Sequence, residues 1–239
     1  WTRNSRSQLT RSNVKVLSDN IKLIKNDISQ ACMNACRNPE EIILMGASKS
    51  QTVEQIEQAY ENGVFHFGEN YLQEAETKIS KIEKNIIWHF IGSIQTKKTK
   101  KIAHLFDWVH TVDSLKIAEK LNDARPSSRG PLNICLQVNI DNEETKSGIL
   151  KEEIDDFLTS LTSLKNIKTR GLMIIPKPRH TAEEQSEVFS DLKLKLDSLK
   201  SKFPELDTLS MGMSSDYLVA IQEGATILRI GTGIFGARK

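Results

Sequence analysis

A lysine stands directly behind a short apolar run in this chain: Lys49 follows Ile42 to Ala47 and Ser48. At the mouth of an apolar core water is scarce, which disfavours the ammonium form and lowers its pKa, the condition for an amine that forms an imine with a carbonyl compound. Far along the chain two segments combine glycine with hydroxyls, Ser210-Met211-Gly212-Met213-Ser214 and Arg229-Ile230-Gly231-Thr232-Gly233. Gly231 and Gly233 carry no Cβ and let an anion approach backbone N–H groups, while Ser and Thr hydroxyls add donors. Arg229 is a permanent cation beside this second segment. Cys32, Cys36 and Cys135 make an odd count. Cys32 and Cys36 are expected one turn apart on a helix with no second pair to complete a metal site, so all three read as structural thiols.

These residues matter only if the fold brings them together. The chain has 239 residues, 38% hydrophobic and 27% charged, with 12 Gly, 6 Pro and 3 Cys, close to globular averages. Disorder, collagen-like repeats and a disulfide scaffold are excluded by these values. The charge balance, 33 Lys plus Arg less 31 Asp plus Glu for +2, argues against a nucleic-acid footprint over the whole surface. No apolar run approaches the roughly 18–20 residues of a spanning helix, and the first thirty residues lack an apolar signal core, so a soluble, cytoplasmic protein is expected. A start at Trp1 rather than Met points to a trimmed N-terminus.

From about Ser12 to Cys36 apolar residues recur at helical spacing, giving one leading amphipathic helix, with residues 1–11 expected to be flexible. Short β-branched runs then alternate with charged helix-period segments, the pattern of βα units and a parallel sheet. The runs are Ile42–Ala47, Val64–Phe67, Ile86–Ile91, Trp108–Val112, Asn133–Val138, Lys168–Ile175, Leu206–Met211 and Thr226–Ile230. Eight strands, each trailed by a helix, match a single closed α/β (β/α)8 TIM barrel over residues 1–239 with an extra N-terminal helix. An open sheet of that size would have edges to protect, and every run here reads as buried. In such a barrel the strand exits form the active face, and phosphate often sits in the loops after strands seven and eight. Lys49 is at the first exit and the two glycine segments at the last two. An imine-forming lysine opposite a phosphate cradle matches the aldehyde and the phosphate of pyridoxal 5′-phosphate, PLP.

Several stretches carry a resemblance. Ala47-Ser48-Lys49, His66-Phe67-Gly68-Glu69-Asn70-Tyr71, Trp88-His89-Phe90-Ile91-Gly92, Lys146-Ser147-Gly148, Gly171-Leu172-Met173, Leu209 to Ser214, Arg229 to Thr232 and Ile234-Phe235-Gly236 resemble the pyridoxal phosphate homeostasis protein family. The likeness runs from about Val14 to Arg238. That family in turn resembles the barrel domain of alanine racemase without its second β-domain, and has no established catalytic reaction. The resemblance implies Lys49 as the Schiff-base lysine, Ser214, Gly231 and Thr232 as the phosphate cradle with Ser210 and Met213 lining it, Arg229 as partner of the pyridine nitrogen, and Asn70 and His89 near the ring. Where the family often has Thr-Lys-Pro after the lysine, this chain has Ser50-Gln51-Thr52.

The function so implied is PLP buffering, delivery or sensing by a monomer without catalysis, with PLP-dependent apoenzymes as recipients. A guanidinium at the pyridine nitrogen discourages ring protonation and weakens the electron sink that transamination and decarboxylation depend on, which is compatible with a carrier or with a racemase whose carbanion is short-lived. One alternative is an amino-acid racemase, which needs a second acid/base group; Tyr71 and His89 are the candidates. Another is a Schiff-base class I aldolase, with Glu69 or Asp113 moving protons. A third is nucleic-acid binding through Lys97, Lys98, Lys100 and Lys101 together with Arg3, Arg6 and Arg11, but no aromatic residues interleave with these charges, and a solvated helix face is the better reading.

Overall fold

The apolar runs become strands and the charged segments become the helices that cover them. The computed structural model describes residues 2–237, and for 2–14 the backbone alone. The strands are β1 (Ile43–Ala47), β2 (His66–Glu69), β3 (Ile87–Phe90), β4 (Trp108–Val112), β5 (Leu132–Gln137), β6 (Ile167–Met173), β7 (Thr208–Ser210) and β8 (Ile227–Ile230). The helices are α1 (Thr2–Asn34), α2 (Val53–Glu61), α3 (Leu72–Ile79), α4 (Thr99–Leu105), α5 (Leu115–Ala124), α6 (Ile154–Leu161), α7 (Ala182–Leu199), α8 (Tyr217–Gln222) and α9 (Thr232–Phe235).

All eight strands pair in parallel and in chain order, and β8 returns to β1 through Ile43↔Ile227 to Gly46↔Ile230, closing the barrel. Helix starts follow capping chemistry. Thr52 and Gln55 form a capping box on α2, Thr181 and Glu184 one on α7, and the Ser114 side chain caps α5, each satisfying amides that a first turn leaves open. After α2 the chain reverses at Gly63, whose φ of +82° is accessible to glycine at little cost.

Two apolar layers result. The larger lies between barrel and helices and includes the fully buried Phe67, Phe90, Phe106 and Phe189. Burying each such ring contributes about 2–3 kcal/mol. The smaller layer fills the barrel interior with Met45, Trp108, Cys135, Met173 and Ile227. Strands β6 and β7 approach so closely at Gly171 that an added Cβ would lie 1.8 Å from the Thr208 carbonyl oxygen.

Helix α1 packs along α8 and α9 rather than into the sheet. Asn20 donates to the Ile234 carbonyl at 3.1 Å and the Tyr217 hydroxyl to Asp27 at 2.6 Å, so α1 braces the segment that follows β8. The helix begins at Thr2 where the sequence pattern places its start near Ser12. The expected flexibility of residues 1–11, and the side chains of Arg3, Arg6 and Arg11, lie outside the described residues. Cys36 is not on the helix as expected: α1 ends at Asn34 and Cys36 sits in the turn beyond it at φ +53°. Cys32 and Cys135 are buried, and Cys36 is exposed. Among the described residues no helix is long and apolar enough to cross a membrane.

Candidate functional site

The first strand exit is a clamped turn. Past Ala47, Ser48 is fully buried, Lys49 is half-buried, and Ser50 takes φ +64°, a left-handed conformation that a serine adopts only when its surroundings hold it. Those surroundings come from β2 and α3. Lys78 donates to the Ser48 carbonyl at 2.7 Å, to Glu69 Oε1 at 2.8 Å and to Glu74 Oε1 at 2.6 Å. Glu74 also accepts the Ser50 amide at 2.6 Å, and Ser48 Oγ donates to Glu69 at 2.6 Å. Lys78 is 5% exposed and Glu69 wholly buried. Burial pushes the Glu69 carboxyl up, while Lys78 and Ser48 pull it back. The backbone on both sides of Lys49 is therefore fixed, at Ser48 by the buried Lys78–Glu69 pair and at Ser50 by the partly exposed Glu74 that Lys78 also holds.

At the second exit Asn70 follows β2, and its side-chain Oδ1 is a buried acceptor without a hydrogen-bond partner. Its backbone passes so near Gly92 that an added Cβ there would lie 2.0 Å from the Asn70 carbonyl oxygen. Such an orphaned acceptor costs stability unless a ligand or water donates to it.

The last two exits are stitched to each other. Arg229 N–H donates to the Gly212 carbonyl at 3.0 Å, and Gly233 N–H donates to Ser214 Oγ at 3.1 Å. Met213 N–H donates to Asp216 at 2.6 Å, and burial raises the Asp216 carboxyl. Gly231 precedes the single turn α9, and Thr232 at its start is exposed. Because β8 pairs with β1, a Cβ on Gly231 would lie 3.5 Å from the Ala47 carbonyl oxygen, so the Lys49 turn and the Gly231 loop are neighbours.

Below the exits, Arg229 is 5% exposed inside the barrel; its Nη1 donates to Ser210 Oγ and its Nη2 to the Ile174 carbonyl, both at 2.8 Å. Burial pulls its pKa down to about 10 against the attraction of Asp216, which leaves a cation at neutral pH. Ser210 is fully buried at the end of β7 and so belongs to this floor rather than to the exposed loop. His89 is deeper still, with one ring nitrogen 2.9 Å from His110 and the other 2.9 Å from His66, and its ring stacks on Trp108.

The fold thus gathers Lys49, Asn70, Met213, Ser214, Gly231 and Thr232 at the strand exits, with Arg229 and Ser210 beneath them. His89 connects to that floor only through His110. Sequence reading missed His66, His110 and Lys78. The two histidines occupy inward positions of β2 and β4, a polar signal on the period-2 face of an apolar strand, whereas Lys78 reads as an ordinary helix-surface lysine.

The alanine racemase N-terminal domain family matches residues 20–239. The pyridoxal phosphate homeostasis protein of Escherichia coli K12 is 42% identical over 226 residues, covering 93% of this chain and 97% of that relative. The protein of the same name from Pseudomonas aeruginosa is 43% identical over 226 residues, covering 94% and 97%. Among solved structures, PipY of Synechococcus elongatus with PLP bound has a TM-score of 0.77 at 33% identity, over 88% of this chain and all of that one. Alanine racemase from Clostridium difficile has a TM-score of 0.73 at 16% identity, covering 92% of this chain and 60% of that one, a likeness of fold.

Proposed function

Since the chain belongs to the pyridoxal phosphate homeostasis protein family, we propose that it binds PLP and buffers, delivers or senses that cofactor without turning over a substrate. The residues present fit the group: an orphaned buried acceptor at Asn70 Oδ1, a glycine and hydroxyl loop beside the Lys49 turn, and a fixed cation below. In this reading Lys49 holds the aldehyde as a Schiff base, and Ser214, Gly231 and Thr232 hold the phosphate, with Met213 lining the loop. Asn70 and Arg229 face the ring, and Ser210 and His89 support Arg229 from behind. When bound, PLP would supply an electron sink, a weaker one where its ring nitrogen is unprotonated.

The observation that carries the non-catalytic reading is that no side chain considered as a second acid/base group is placed to act. Arg229, held by Ser210 and the Ile174 carbonyl, is a fixed cation that weakens the electron sink without abolishing it. Neither candidate second base supports racemisation: Tyr71 is 63% exposed, and both ring nitrogens of His89 are engaged by other histidines. Of the aldolase candidates, Glu69 has its Oε1 held by Lys78 and Ser48, while its buried Oε2 has no hydrogen-bond partner. We further propose one barrel domain over residues 1–239, acting as a cytoplasmic monomer with PLP-dependent apoenzymes as recipients.

The test is transfer. The loaded protein is mixed with a PLP-dependent apoenzyme in the presence of a scavenger of free PLP. Reactivation of the apoenzyme, with no turnover of amino acids by the loaded protein alone, supports the reading. Failure to bind PLP, or steady racemisation, contradicts it.

A further inference from the structure

Five side chains cross the barrel interior in one unbroken series. His66 Nδ1 lies 2.9 Å from His89 Nε2, His89 Nδ1 2.9 Å from His110 Nε2, His110 Nδ1 2.8 Å from Ser210 Oγ, and Ser210 Oγ 2.8 Å from Arg229 Nη1. The series begins on β2, passes β3 and β4, and ends on β7 and β8. His89, His110 and Ser210 are completely buried. His66 is half-buried at the amino end of β2, on the face opposite the strand exits, where it lines a cavity of about 440 Å³ with Lys25, Glu40 and Phe65.

Counting donors gives the series a direction. A guanidinium only donates, so Ser210 Oγ accepts from Arg229 and its single proton goes to His110 Nδ1. His110 then carries its own proton on Nε2 and donates to His89 Nδ1, and His89 likewise donates from Nε2 to His66 Nδ1. The reverse order would aim both Arg229 and His110 at Ser210 as donors and displace the serine proton from the series, and a mixed order of neutral rings would set two donors or two acceptors against each other in a dry interior.

We propose that His66, His89 and His110 are positioning residues, held as a run of neutral Nε2–H imidazoles that fixes Ser210 and Arg229 under the cofactor and ties them to the opposite face of the barrel. The place of Arg229 beneath the cofactor rests on the function proposed above; the direction of the hydrogen bonds does not. Burial supports neutrality: it holds His89 well below the ordinary histidine range, and together with Arg229 it takes His110 down to about 3.

Full-length protein carrying 15N-histidine decides the matter in long-range 1H–15N correlation spectra, recorded without and with PLP and assigned through His66→Gln, His89→Gln and His110→Gln. The expected spectra show a protonated Nε2 and a bare Nδ1 for all three rings. A protonated Nδ1 on any of them, or an imidazolium at His110, overturns the proposal. A second arm reads positioning: His110→Phe removes the acceptor for Ser210 and should release PLP several-fold faster while shifting the pH profile of the bound cofactor's visible band, and His110→Gln should restore both. Unchanged release and an unchanged band in His110→Phe also overturn it, with thermal unfolding read separately for packing. A chain that bound no PLP would sink the proposed function, but spectra of the cofactor-free protein would still decide the relay.

Discussion

Acid should unfold this protein through its interior histidines, and the size of the effect follows from their burial. His89 faces His66 and His110; His110 faces His89, Ser210 and Arg229, whose charge adds to the penalty on a second proton. Both stay neutral in the folded barrel, while in the unfolded chain they bind protons near the ordinary value of about 6.5. Their folded pKa values are depressed, so the unfolded state binds more protons below that point and stability falls as the pH falls. Each ring's slope rises to about 1.4 kcal/mol per pH unit only once the pH is below the unfolded pKa, so between about pH 7.5 and pH 5.5 each ring costs about 1.4 kcal/mol and the pair about 3 kcal/mol. Against a typical total of about 5–15 kcal/mol that is a large share. Burial raises the carboxyls of Glu69 and Asp216, which opposes the loss, so the clean quantity is a difference between variants. Urea unfolding at both pH values should show His110→Gln losing roughly half as much as the histidine pair predicts, relative to wild type. An identical loss in wild type and His110→Gln would refute the reasoning.

Other substitutions separate folding from binding. Lys78→Met leaves Glu69 buried without its cation and should cost about 3–5 kcal/mol in urea unfolding, with Glu69→Gln in the same chain recovering part of it. Gly171→Ala drives a Cβ into the Thr208 carbonyl and should cost at least about 3 kcal/mol, seen as a fall in Tm or loss of soluble protein. By contrast Gly231→Ala meets only the Ala47 carbonyl at 3.5 Å and its Cβ at 3.6 Å, so Tm should hold while PLP affinity drops about tenfold, by roughly 1.4 kcal/mol. Equal affinity in Gly231→Ala would remove that loop from the phosphate site.

Much of the fold is legible because strand runs and helix signals agree along the chain. Each strand begins and ends within two residues of its apolar run, and Thr52, Ser114 and Thr181 mark helix starts by capping chemistry. Helix α3 ends at Ile79, where the chain turns away toward β3, although the sequence pattern from Tyr71 stays helix-compatible to about Glu83. The turn α9 is hidden because Gly231 and Gly233 read as loop, and its shape depends on α1 packing behind it. Lys49, Ser214 and Gly231 stand out at strand exits once a barrel is assumed. His66, His89 and His110 lie 23 and 21 residues apart in the chain, and only the barrel fold links them, through Ser210, to Arg229. Lys78 is similarly invisible, since its place in α3 gives no hint that its ammonium reaches back under the Lys49 turn.

The central claim is that PLP is held on Lys49 above Arg229. Borohydride reduction of the purified protein after incubation with PLP, followed by peptide mass mapping, tests it most directly. A pyridoxyl group confined to Lys49 is the predicted result. No adduct, or label spread over lysines such as Lys97 and Lys100 with Lys49 unmodified, would contradict it.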